Sequence, residues 1–244
     1  MKDCEIMLGV IVNVATVVVG SLIGLIFKKG ISKKYSDAVM IAIGLCTVLI
    51  GIDGMLGGVN VLATIVSMVL GAIIGTAIDI DKRLNSAGDF LSRKLKKGDT
   101  DKVSIAQGFV TASLLFCVGA MTIVGSLNSG LKGDHTMIFT KSLLDLVSSM
   151  MLSASLGIGV IFAAIFVFVF QGGIVLCSGL LAPVLNEGAI AQITCVGSLL
   201  ILALGFNLLG ISKFKVANYL PALIFAPVVY YGFQLLGQYV PAFA

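Results

Sequence analysis

The stretch IMLGVIVNVATVVVGSLIGLIF, residues 6–27, holds no charged side chain and runs straight into Lys28 and Lys29. An α-helix rises about 1.5 Å per residue, so a run of this length crosses a hydrocarbon core of about 30 Å. The basic pair that stops it belongs on the cytoplasmic side, where Lys and Arg accumulate. The run therefore reads as a membrane-spanning helix. Met1 to Glu5 mix both charge signs and no small-residue cleavage site precedes Lys28, so it reads as an anchor rather than a removable signal.

The same kind of segment recurs along the chain. Of 244 residues, 58% are hydrophobic and 11% charged, whereas a soluble domain carries about a quarter of its residues as charges. Those charges are clumped at 28–37 and 79–102. Apolar runs at about 6–27, 38–53, 59–78, 104–126, 137–155, 158–181, 189–210 and 217–238 fill the rest. The expectation is an all-α, polytopic transmembrane bundle of about eight spans. Seven spans plus a re-entrant segment within 134–182 is the alternative. Residues 1–244 form one integral-membrane domain with a basic cytoplasmic loop at 79–103. In that loop Leu84, Ala87, Leu91 and Leu95 recur at helical spacing, as in a helix lying on the inner leaflet or in an ordinary solvated connector.

Charge sets the orientation. With eight crossings and the N-terminus outside, 13 of the 16 basic residues fall on the cytoplasmic side, leaving Lys2 and Lys132 outside and Lys141 within a span. Topology thus accounts for the basic excess, and nucleic acid is not an expected partner. The five cysteines form no CxxC pair and the single histidine no ligand cluster, so no metal or cofactor is expected. No catalytic constellation is present: no HExxH, no phosphate-cradling glycine loop, no nucleophile that His135 could serve. An enzyme is not expected.

Two internal repeats emerge. In the first span Asn13, Thr16, Gly20 and Gly24 fall within about 80° on one helix face. Thr64, Ser67, Gly71 and Gly75 repeat that spacing in the third. Cys117-Val-Gly-Ala is echoed by Cys195-Val-Gly-Ser in the seventh. Small-residue faces let helix backbones approach closely in lipid, which suits packing or homo-oligomerisation. The polar members of the same faces suit the wall of a pathway.

Ionisable residues at membrane depth cost a few kcal/mol unless paired or hydrated, and so point to function. The fifth span has two. Lys141 and Asp145 stand four apart on one face, with Ser148, Ser149 and Ser155 continuing the stripe. They form either a structural ion pair or one wall of a hydrated cavity where Asp145 binds a cation or proton and Lys141 tunes it or meets an anion. Asp53 reads as an Asp-Gly turn. Gln107, Thr111 and Gln171 read as bridges between helices. Pro227 kinks the last span and Asn218 stands before it, where freed carbonyls serve packing or an ion site.

The chain resembles the YdfK/YqgA family of bacterial inner-membrane proteins. The resemblance rests on Asn13 followed by Gly20-Ser-Leu-Ile-Gly24, on Lys141-Ser-Leu-Leu-Asp145 running on to Ala154-Ser-Leu-Gly157, and on Gly210-Ile-Ser-Lys-Phe followed by Val216-Ala-Asn218-Tyr-Leu-Pro221-Ala-Leu. It implies a polytopic protein of the bacterial plasma membrane and supplies no substrate. The expected function is secondary transport of a small solute or ion, with Asp145 and Lys141 at the polar centre and Ser148, Ser149, Asn13, Thr16, Thr64, Ser67 and Asn218 around it. The alternatives are a non-transporting oligomeric scaffold or regulatory module, and an ion channel.

Overall fold

The computed structural model of the chain describes residues 6–28, 33–57, 60–86 and 105–237. Every regular element among them is helical: α1 (Leu8–Lys28), α2 (Lys33–Leu56), α3 (Val61–Ile78), α4 (Ile105–Cys117), α5 (Ala120–Lys132), α6 (Thr136–Leu156), α7 (Gly159–Leu176), the single turn α8 (Ser178–Leu181), α9 (Glu187–Leu208), a 3-10 turn at Val216–Tyr219, and α10 (Ala222–Gly237). In a membrane a helix satisfies its own backbone, which is why these apolar runs adopt no other form. Their ends follow local chemistry. Asn60 and Asn186 cap α3 and α9 by accepting from the amides of Ala63 and Ala189 at 3.0 and 2.8 Å.

The all-helical bundle is as expected, but eight spans is more than the structure displays. Six helices are long and apolar enough to cross, and the bent pair α4–α5 makes a seventh if the two are counted as one broken span. The expected second span corresponds to Met40–Leu56, shorter than the others. Polar residues at both ends of α2, Lys34 and Asp53 among them, shorten its apolar stretch. Asp53 and Gly54 also continue α2 as helix and form no turn. In the basic loop only 79–86 is described, with 80–86 helical and Leu84 packed towards the core. Ala87, Leu91 and Leu95 lie outside the described residues.

Glycines set the helix pairs. On α1, a methyl group at Gly20 would land on Ser149 Oγ and the Leu146 carbonyl, and one at Gly24 on the Met150 carbonyl and Ser153 Oγ. The two backbones are therefore in direct contact, and Ser153 Oγ donates to the Ser21 carbonyl at 2.9 Å. On α3, Gly71 meets Ala222 at the start of α10, and Gly75 meets the Asn218 carbonyl. All four glycines of the small-residue faces thus seat helices of the same chain.

The contacts also give helix directions. Gly9, Gly20 and Gly24 of α1 face residues 135–138, 146–149 and 150–153, so α1 and α6 run parallel. Gly44, Gly51 and Gly54 of α2 face Leu209, Leu202 and Ser198, so α2 and α9 run antiparallel. Asn60 and Thr64 meet Gln192 and Cys195, which makes α3 and α9 parallel. Gly71 and Gly75 make α3 and α10 antiparallel. Burial differs from that of a soluble protein: Asn13, Ser67, Lys141, Asp145, Gln171 and Gln192 lie inside beside the apolar core, while Ile73, Leu143, Ile165 and Ile224 face outward. Lipid solvates the second set at no cost, whereas the first must be satisfied by protein or water.

Candidate functional site

Helices α4 and α5 are one apolar run broken in the middle. The chain leaves α4 at Cys117, turns through Val118 and Gly119, and re-enters helix at Ala120 after a bend of 60°. Gly119 has φ 150° and ψ 145°, a region closed to residues with a Cβ. This glycine makes the break. Thr122 helps by donating its hydroxyl to the Phe116 carbonyl at 3.0 Å, which the interrupted ladder leaves without a helical donor. Opposite the break stands α6, carrying Lys141 and Asp145.

Lys141 Nζ and Asp145 Oδ2 are in direct contact, one turn apart on α6. The residues are 6% and 5% exposed, so the pair belongs to the interior and does not snorkel to either surface. Lys141 Nζ also lies over the Phe116 ring, 5.9 Å from its centroid, a cation–π contact at the end of α4. Behind the pair, Asn13 of α1 sits beside Asp145 and donates from Nδ2 to Gln171 Oε1 of α7 at 3.0 Å. A polar chain from Gln171 through Asn13 and Asp145 to Lys141 therefore crosses three helices. Asn13 Oδ1 and Gln171 Nε2 have no partner among the described residues.

The pair is not sealed in. It lines a cavity of about 640 Å³ bounded by α2, the α4–α5 break, α6 and α9. Asp53, Thr47, Ser148, Thr194 and Ser198 add polar groups to walls otherwise built from Ile43, Ile50, Leu115, Met121 and Leu144 and their like. A second cavity of about 390 Å³ opens at the other end of the bundle, lined by Asp81, Asn85, Gln107, Asn207, Lys213 and Lys215 with apolar neighbours. One cluster separates the two. Ile201 faces the first cavity, Val110 and Leu204 face the second, and Leu114 and Leu200 pack among them.

The residues singled out in the sequence fall into four places. Lys141, Asp145 and Ser148 share the first cavity, with Asn13 directly behind. Ser149 turns away to pack on Gly20 and donates to the Leu146 carbonyl, while Thr16 donates to the Asn13 carbonyl. Thr64 belongs to a separate network, accepting from Gln192 Nε2 at 2.6 Å, and Ser67 donates back to the Ala63 carbonyl of its own helix. Asn218 lies near the second cavity, where its Oδ1 accepts from the Asp81 amide at 2.8 Å. Gln192, Ser198, Thr47 and Thr194 have no charge to announce them. Only Ser198 carries a signal, as the last residue of the Cys195-Val-Gly-Ser echo; Val118 of the matching motif packs directly against Gly197.

The comparisons fit this architecture. The family model described as "Protein of unknown function (DUF554)" matches residues 8–231. The chain belongs to this family. "Uncharacterized membrane protein YdfK" of Bacillus subtilis is 37% identical over 235 residues, covering 95% of this chain and 99% of its own. "Uncharacterized protein YqgA" of Escherichia coli is 30% identical over 222 residues, covering 90% and 94%. The resemblance drawn from the three sequence motifs is thereby met. No solved structure matches the chain. Membership in DUF554, the relative's description as a membrane protein and the apolar helices together make this a multi-pass membrane protein.

Proposed function

We propose that the chain is a secondary transporter of a small solute or ion in the bacterial plasma membrane, with Lys141 and Asp145 at the centre of its pathway. The observation that carries this is the position of the pair: buried, yet facing a cavity large enough for a small solute. A purely structural ion pair gains nothing from a cavity, because leaving charges beside open volume invites water into the bundle. A pathway needs both charge and volume. A second cavity beyond one apolar cluster completes the arrangement expected of alternating access, in which a site near the midplane opens to one face at a time. The chain carries no phosphate-cradling loop that would couple such movement to a nucleotide.

The orientation proposed has the N-terminus outside, with α1 and α6 parallel and with α3 and α9 running against α2 and α10. On that arrangement Lys213 and Lys215 of the second cavity fall on the cytoplasmic face with the basic loop, and the N-terminus lies outside. The scaffold alternative loses its main support, since Gly20, Gly24, Gly71 and Gly75 are occupied within one chain. Purified protein in liposomes, screened against labelled small solutes and monovalent ions, tests the proposal. Flux through the parent protein is expected to fall at least about tenfold in Asp145→Asn and in Lys141→Ala, since each change removes charge stabilisation worth more than the roughly 1.4 kcal/mol of a tenfold effect. Equal flux in parent and variants would remove the pair from the pathway.

A further inference from the structure

We infer that the solute of the Lys141–Asp145 site is a small monovalent cation and that Asp53 sets this selectivity, an inference that rests on the transport role proposed above. Three charged side chains line the cavity, Asp53, Lys141 and Asp145, so two carboxylates stand against one ammonium and the formal charge of the lining is −1. Lys141 and Asp145 are committed to each other. Asp53, the exposed member of the three, takes part in neither ion pair found among the described residues. Its charge is the one left for a ligand to balance. One monovalent cation neutralises the lining, whereas an anion adds to a negative charge already held among apolar walls.

The neutral polar groups of the wall agree with the charge. Thr47, Thr122 and Thr194 all line the cavity. Each has its hydroxyl proton committed to a backbone carbonyl, those of Ile43, Phe116 and Ile190, at 2.7, 3.0 and 2.8 Å. A hydroxyl has one proton and two lone pairs, so what these three residues still offer is acceptor oxygen. Acceptor oxygens ligate cations, whereas an anion needs donors. Behind Asp145, the Oδ1 of Asn13, a residue 0% exposed, is a further acceptor without a partner among the described residues. The start of α5 has the opposite character, since no side chain caps it and its leading amides favour an anion. That helix end carries only about half a unit of positive charge, less than the full charge of Asp53. Among the described residues no group of three or more His, Cys, Asp or Glu could hold a metal ion, which argues against a divalent metal. A volume of about 640 Å³ admits a monovalent ion with its water, or a small alkylammonium.

The experiment measures ion binding to the full-length protein in phosphatidylcholine nanodiscs, by calorimetry and thermal shift, at a constant low ionic strength balanced with N-methyl-D-glucamine chloride. The probes are the chlorides of sodium, potassium and methylammonium, with N-methyl-D-glucamine acetate as the anion arm. At least one of the three cations is expected to bind saturably, and acetate is not. Asp53→Asn, which makes the lining neutral, is expected to weaken cation binding at least about fivefold, and Asp53→Lys to weaken it further. Both should leave the stability of the ligand-free protein unchanged, because Asp53 is exposed. Asp134→Asn, which alters an exposed carboxylate outside the cavity, is expected to bind as the parent does. The double variant Lys141→Met/Asp145→Leu is expected to lose saturable binding. Acetate binding as tight as that of every cation overturns the inference, as do Asp53 variants or a double variant that bind cations unchanged, or the absence of saturable cation binding. Failure of the transport role reads differently: cations bind with this dependence on Asp53 but proteoliposomes show no flux. Asp145-dependent flux of an uncharged or anionic solute without cation binding leaves transport standing and removes the cation.

Discussion

At the scale of single residues, the proposed function turns on two charges that membrane topology does not explain. Removing one partner of a buried pair leaves an uncompensated charge and typically costs about 3–5 kcal/mol, whereas replacing both by apolar residues of similar volume is often neutral. Lys141→Met alone and Asp145→Leu alone are therefore expected to lower the midpoint of thermal unfolding in detergent, while the double variant recovers most of the loss and still transports nothing. That outcome separates the pair's role in function from its role in the fold. A double variant that transports normally would make the charges dispensable. The pair itself is legible in the sequence, because a spanning helix has no need of a Lys and an Asp four apart within its apolar run. Its second layer is not: Gln171 looks like an ordinary bridging residue until neighbouring helices are placed, since neither charge nor spacing distinguishes it.

Helices are legible from apolar length and the charge clumps, while the caps at Asn60 and Asn186 emerge only from the structure. The small-residue faces are also visible, but their partners are not, because Gly20 and Gly71 specify that something approaches and not what. The structure supplies α6 for one and α10 for the other. Gly20→Leu is therefore expected to destabilise the monomer itself, by about 1–3 kcal/mol of overpacking or more, while Val19→Leu on the 49% exposed outer side of the same helix changes little. Thermal unfolding of the two variants at a fixed detergent ratio checks this. A Gly20→Leu protein that unfolds like the parent and merely fails to assemble would restore an intermolecular role for the face. The break between α4 and α5 is not legible at all, since an apolar run with one Val-Gly step reads as continuous helix. Only the backbone conformation of Gly119 reveals it.

For the whole molecule, composition alone places the chain in a membrane, whereas the eight crossings read from the charge distribution exceed the six or seven that the structure displays. The arrangement of space is beyond reach of the sequence: two cavities, one apolar cluster of Val110, Leu114, Leu200, Ile201 and Leu204 between them, and a charged pair facing the larger cavity. Everything proposed about function follows from that pair being reachable by water from one face. The most direct measurement needs no knowledge of the solute. In a variant whose five native cysteines are replaced, Ser148→Cys, one turn beyond Asp145 on the cavity wall, is treated with a small membrane-impermeant thiol reagent in sealed vesicles of each orientation. The expected result is modification from the face bearing the N-terminus, faster than for Leu143→Cys at a lipid-facing position of the same helix. A Ser148→Cys thiol that stays unreactive from both faces would show a dry, closed ion pair and contradict a water-reachable site.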